Sequence, residues 1–301
     1  MTEEKRRSAW FWVFIGGGLF VAFVGVVSLL GYFAVQSMGG NTSFGDSIGV
    51  IDVDGVILGA DKTVDSLRKF DQDDSIKAII LHIDSPGGGA AASQEIYEEV
   101  RRIRDQKKKP IIASIESVGA SGAYYIASGT NKIYANDASI VGSIGVIMEW
   151  TNYGDLLKWA RLKPEVLKAG SLKDAGSPTR EMTPAERVYM QGLIDNMHTQ
   201  FIHSVAIGRK MKDDQVLPLA NGKVWTGEEA LPLKLIDQIG DFRTAVEDTA
   251  KSVGIKGEPT LVHPEKDRKS LLDLMFGDIS DYLPDRAKLM QTNVGFYYLW
   301  K

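Results

Sequence analysis

A chain of 301 residues, 44% apolar and 25% charged, is long enough for one large domain or two small ones. Its net charge of −4 leaves no basic footprint for nucleic acid. Because the chain has no cysteine, disulfides, thiolate metal sites and a cysteine nucleophile are excluded.

The N-terminus is read first. Ala9 to Val35 carries no charge and is longer than the roughly 20 residues that span a bilayer. Trp10 and Trp12 open this run and Tyr32 lies near its end, where aromatic rings favour the interface. Lys5, Arg6 and Arg7 precede it, and the next basic residue is Lys62. By the positive-inside rule, residues 1–8 stay in the cytoplasm and everything after about Gly39 is exported. A cleaved signal peptide competes with this reading, but its apolar region would be only about 7–15 residues and no small-x-small site follows closely. We therefore expect one transmembrane helix over 9–35, a linker over 36–46 containing GGNTSFGD, a folded domain over 47–264 and a tail over 265–301.

The folded region reads as alternating strands and helices. Ser47 to Val53, Lys77 to Ile83 and Pro110 to Ile115 are β-branched runs that predict strands. Ala91 to Lys109 places Ile96, Val100 and Ile103 at helical spacing. Such alternation predicts an α/β fold with a parallel sheet. Thr183-Pro184-Ala185-Glu186 predicts a capped helix start, followed by an apolar stripe of Met190, Ile194, Met197 and Phe201, read as core packing. Thr226-Gly227-Glu228-Glu229 predicts another start, Leu235 to Ile239 a short strand and Phe242 to Val253 a last helix. The aromatic ending Val294 to Lys301 needs a surface to pack on: the body, a partner subunit or the membrane.

Two glycine-rich turns follow predicted strands, where ligand sites of parallel α/β sheets lie. One is Asp84-Ser85-Pro86-Gly87-Gly88-Gly89; the other is Gly119-Ala120-Ser121-Gly122, before a helix over Ala123 to Ser128. A serine between small residues at a helix start keeps its hydroxyl accessible, beside a backbone amide able to hold an oxyanion. The 87–89 run can bring a second amide close, because no side chain blocks it. The same residues also suit a serine that merely caps a helix in a tight bend. The phosphate-cradling P-loop pattern is absent, and so is G-x-S-x-G, since Ala123 stands at its second glycine.

The general base is harder to find. His82 lies within a strand, His263 is near the tail, and His198 and His203 are five apart on one helix, so all four read as structural. A lysine can serve if burial keeps it neutral. Lys132, Lys158, Lys163, Lys168 and Lys173 are candidates, and composition does not choose among them.

Five stretches taken together resemble the signal peptide peptidase SppA family in its short bacterial form. They are IDSPGGG (83–89), SVGASGAYYIAS (117–128), VGSIGVI (141–147), KAGSLKDAGSPTRE (168–181) and NGKVWTGEEALPLKLIDQIGD (221–241). The resemblance implies a Clp protease/crotonase-like fold of stacked β-β-α units and a Ser/Lys dyad without metal or cofactor. It implies Ser121 as nucleophile, Lys173 as base, Ser143 as the residue orienting that lysine, and Gly88 and Gly122 as oxyanion donors. Expected substrates are peptides near the membrane, remnant signal peptides included. The expected location is the bacterial inner membrane with the domain on the exported side. Long family members carry two tandem domains and single-domain ones form rings in which neighbours complete the site, so a homo-oligomer is expected. Ala123 departs from a frequent Gly-Gly and puts little in doubt. Two rivals remain: a crotonase-like acyl-CoA enzyme and a non-enzymatic membrane scaffold.

Overall fold

The computed structural model describes residues 17–18, 20, 22–31, 46–107, 109–264 and 295–300. The chain divides into two units, Met1–Phe44 and Gly45–Lys301. Of the expected span, residues 22–31 form a helix, α1, whose side chains are exposed. The rest of 9–35 that is not described, residues 1–8, nearly all of the linker and tail residues 265–294 lie outside the described residues. Among those described, no helix is long and apolar enough to cross a membrane.

The larger unit is built on one ten-stranded mixed sheet. Its centre comprises β1 (Ser47–Ile57), β2 (Ile76–Gly89) and β3 (Ile111–Ala120), all parallel. In β2, Ile76, Ala78, Ile79, Ile80, Leu81 and Ile83 are buried irrespective of alternation. That is the signature of a parallel strand covered on both faces, each large side chain contributing about 1.5–3 kcal/mol by burial. One face is covered by α2 (Asp61–Gln72), α3 (Ala90–Arg102) and α4 (Gly122–Ser128). On the other, α9 (Phe242–Ser252) packs Ala245, Val246 and Ala250 against Ile48, Ile80 and Ile112.

Two changes of neighbour shape the sheet's carboxyl edge. Along β3, pairing passes from β4 (Lys132–Ala135) to β5 (Ile140–Gly142). Along β2, β3 pairs as far as Ser85. Beyond that point β1 still holds one edge, at Gly87 and Gly88, and the edge left by β3 is taken by β10 (Gly295–Leu299), which runs antiparallel. The other side of β10 pairs with β6 (Ile147–Glu149).

The remaining elements are α5 (Gly154–Trp159), α6 (Pro184–Gly208), α7 (Asp213–Val216), β7 (Val224–Thr226), α8 (Gly227–Ala230), β8 (Gln238–Ile239) and β9 (Thr260–Val262). Both expected caps form: Thr183 and Glu186 close a capping box on α6, and Thr226 and Glu229 one on α8. The helix expected over 91–109 stops at Arg102 and widens into a π turn over Ile103–Lys107. Lys109 then leaves the helix and its Nζ donates to the Phe70, Asp71 and Asp73 carbonyls at the end of α2. The strand expected over 235–239 shrinks to β8, because the Leu235 amide returns to Ala230 O (3.0 Å) and Leu235 and Ile236 plug the core from a turn. Within α6, Phe201 is fully buried, whereas Met190, Ile194 and Met197 are only half-buried.

Candidate active site

The serine turn is the most constrained piece of backbone at this edge. Ser121 joins β3 to α4 at φ 55° and ψ −116°, a conformation that costs a non-glycine residue about 1–3 kcal/mol. The surroundings hold it there. Its N–H donates to Gly142 O (2.7 Å), and its carbonyl accepts from Tyr125 N (2.8 Å). The side chain makes no capping bond to α4, so the capping alternative fails and the hydroxyl is left for other work. Glycine leaves room alongside: a Cβ on Gly119 would lie 2.7 Å from the Ile115 side chain, and one on Gly122 would push Ser93 Oγ aside.

The second glycine turn is pinned by its own side chains. Ser85 Oγ donates to Gly55 O and accepts from Gly87 N (3.1 Å), while Asp84 accepts from Val118 N (3.0 Å). Gly87 has φ 97°, and a Cβ on it would stand 2.6 Å from Gly122 N. A Cβ on Gly88 would run into the Ile57 backbone. From the Cβ position of Gly122, Gly88 N is 3.2 Å away. The two expected oxyanion donors are therefore neighbours, brought together through close backbone approaches that only glycine permits.

Ser143 follows Gly142, the residue whose carbonyl holds Ser121. It is buried at φ 52°, and its N–H donates to Lys223 O (2.9 Å). A hollow of about 620 Å³ opens beside it, bordered by Ile147, His198, Leu299 and Trp300. Another, of about 670 Å³, lies under α9 between Phe242 and Pro259 and holds no nucleophile.

Lys173 is not brought into this cluster. It is solvent-exposed on a loop between α5 and α6, and among the described residues it forms no hydrogen bond to Ser121 or Ser143. The loop itself is well anchored by Arg180, a residue that sequence reasoning missed. The Arg180 guanidinium bonds the Asp174 carboxylate (Nε, 3.1 Å) and carbonyl (Nη2, 3.1 Å), and Glu186 on α6 (Nη1, 2.9 Å). Arg180 and the Thr183 amide hold the buried Glu186 carboxyl down to about 2. Bonds from Lys168 and Arg180 likewise lower Asp174. Lys173 thus rides next to a tethered carboxylate, with its side chain exposed.

Three of the four histidines lie against carboxylates. His82 sits between Asp52 (3.4 Å) and Glu116 (3.5 Å), and His203 pairs with Asp213 (3.2 Å). His198 borders the hollow beside Ser143.

An uncapped, strained serine flanked by two glycine amides on a curled α/β sheet is the furniture of a hydrolase, and comparison with known proteins narrows the class. The model of peptidase family S49 matches residues 103–256, and that of Clp protease matches residues 58–140. The chain belongs to peptidase family S49, the SppA family. It is 35% identical over 255 residues to a Synechocystis sp. protein assigned as a protease, covering 84% of this chain and 90% of that one. It is 35% identical over 185 residues to an Enterococcus faecium protein assigned as signal peptide peptidase SppA, covering 62% of this chain and 54% of that one. Protease 4 of Salmonella typhi is 31% identical over 263 residues, which cover 82% of this chain and 41% of that one. The fold is thus Clp protease-like, and a peptidase replaces the acyl-CoA reading.

Proposed function

We propose that this chain is a membrane-anchored serine endopeptidase that cuts peptides close to the bilayer, remnant signal peptides among them. The observation that carries the reading is the uncapped Ser121 at positive φ, with Gly88 N and Gly122 beside it. Ser121 Oγ attacks a peptide carbonyl and passes its proton to neutral Lys173. The Gly88 and Gly122 amides hold the oxyanion, each worth roughly 3 kcal/mol in comparable sites. Lys173 then protonates the leaving amine, and water clears the ester. Ser143 orients the lysine.

Because Lys173 is exposed within one chain, we place the working lysine at an interface: a neighbouring copy in a homo-oligomeric ring supplies or buries it. Residues 9–35 are the anchor, a reading supported by Phe20, Phe23, Leu29 and Leu30, all more than 60% exposed on an apolar segment. The N-terminus is cytoplasmic, and the protease domain lies on the exported side of a bacterial inner membrane.

A fluorophosphonate probe followed by peptide mapping tests the nucleophile. The reading expects one adduct, on Ser121, absent from Ser121→Ala. Labelling at another serine, or none in a folded protein that hydrolyses peptides, would overturn the assignment.

A further inference from the structure

The strands that carry the two glycine turns do not pair evenly. Between β2 and β3, Ile83 faces Ile115 and Ser85 faces Gly119, so residues 116–118 of β3 lie against Asp84 alone. Between β1 and β2, Asp54 faces Asp84 and Val56 faces Gly87, so Ser85 and Pro86 lie against Gly55 alone. Gly55 takes φ 62° at that point. Extra residues of this kind re-aim the chain beyond them and leave ladder groups in need of partners. The chain beyond the first irregularity is Gly119-Ala120-Ser121, and beyond the second it is Gly87-Gly88.

Two consecutive side chains answer both irregularities. Asp84 Oδ1 accepts from Val118 N (3.0 Å), which lies inside the extra stretch of β3. Ser85 Oγ donates to Gly55 O and accepts from Gly87 N (3.1 Å). Ser85 is fully buried, out of reach of a substrate. Asp84 stands among other carboxylates: burial first, then Asp52, Asp84 and Glu116, raise the Asp54 carboxyl above its ordinary value, against a lowering pull from His82. A charge at position 84 is therefore unfavourable for its neighbours, and what the fold uses there is an acceptor oxygen.

We propose that Asp84 and Ser85 are positioning residues for the oxyanion site: Asp84 fixes the run of β3 into Ser121, and Ser85 fixes the peptide that presents the Gly88 N–H. The proposal rests on the peptidase reading above. Neither side chain touches the reacting atoms. The Gly88 amide comes from the end of β2 and the Gly122 amide from the start of α4, so their spacing is the spacing of two chain ends. β2 and β3 pair only as far as Ser85 and Gly119, and the turns beyond are held by what grips these last residues. An error of about 1 Å in such a site costs on the order of a hundredfold in rate. The loss falls on the transition state, because the bound peptide does not yet carry the oxyanion.

The test uses the full chain in detergent, unfolded casein, a peptide spanning one of the bonds cut in it, and the N-terminal half of that peptide as an aldehyde and as the matching alcohol. Ser121 Oγ adds to the aldehyde and puts its oxygen where the oxyanion forms; the alcohol binds without that step. Ser85→Ala and Asp84→Ala are expected to lower kcat about ten- to a hundredfold at nearly unchanged KM. They are expected to weaken the aldehyde by the same factor while the alcohol binds as before. Asp84→Asn keeps an acceptor oxygen and is expected to recover all but about threefold of the loss. Ser85→Cys, a weaker donor and acceptor of similar shape, is expected to fall between alanine and serine. Wild-type kcat in the alanine variants, equal loss of aldehyde and alcohol binding, an asparagine variant as slow as alanine, or loss of fold in both Ser85 variants would each overturn the inference and leave the peptidase reading standing. No Ser121-dependent cleavage of casein by wild type would remove both.

Discussion

At the scale of single residues, the site depends on backbone that ordinary side chains cannot adopt. Replacing Gly88 by alanine drives a Cβ into the Ile57 backbone, so G88A should lower unfolding stability by about 1–3 kcal/mol as well as abolish turnover, seen in denaturant titration. Full stability in that variant would mean that the approach of β1 to the turn is looser than described. Ser121→Ala leaves the fold intact and should cost at least about a thousandfold in kcat. Arg180 acts through the loop that carries Lys173. Arg180→Met should reduce kcat/KM by about ten- to a hundredfold and also lower the melting temperature, since it leaves the buried Glu186 carboxylate without its partner, and Arg180→Lys should rescue poorly, because an ammonium cannot bridge both carboxylates. The Glu186 partner gives this tether a pH dependence. Its folded value, about 2, lies below the ordinary 4.5, so its stabilisation is complete above about pH 4.5 and lost as pH falls through about 2. Hydrogen exchange in residues 163–183 should therefore quicken between about pH 4.5 and pH 2 in wild type, with no such step in Glu186→Gln. Equal steps in both would place the acid sensitivity elsewhere.

At the scale of elements, most of what positions the candidate nucleophile was legible in the sequence. The runs at 47–53, 77–83 and 110–115 became the three central parallel strands, because β-branched side chains buried on both faces leave few alternatives. Ser121 and Gly122 fell at a strand–helix junction, and the capping boxes at Thr183 and Thr226 formed as their spacing demands. The short elements β4 to β7 and α5 escaped, since runs of three to six residues carry too little periodicity to read. Arg180 left no local signal: its partners at 174 and 186 matter only once the loop folds back on α6. The aromatic ending was legible as needing a surface, but its place on the edge of β2 depends on β3 leaving that edge, which no local pattern announces.

At the scale of the whole molecule, exposure of the candidate base makes the proposed assembly part of the proposed chemistry. Leu156, Trp159, Leu162, Val166 and Leu167 are all more than half exposed on the stretch leading to Lys173. Such a concentration of apolar surface calls for a partner, and a second copy of this chain fits the ring proposed above. If one subunit brings Ser121 and the next brings Lys173, the two inactive variants should complement each other. Equal amounts of Ser121→Ala and Lys173→Ala, mixed and reassembled, should recover about a quarter of wild-type activity by random pairing round the ring. Recovery of none would place both residues of the dyad within one subunit.

The most direct test of the central claim is the pH profile of peptide hydrolysis by the full-length protein, beside Ser121→Ala and Lys173→Ala. A Ser/Lys dyad predicts activity that rises between about pH 6 and pH 9, as the base loses its proton, and that disappears in both variants. A profile that is flat or falls over that range, or activity that survives in Lys173→Ala, would contradict a lysine base; activity that survives in Ser121→Ala would contradict the site itself.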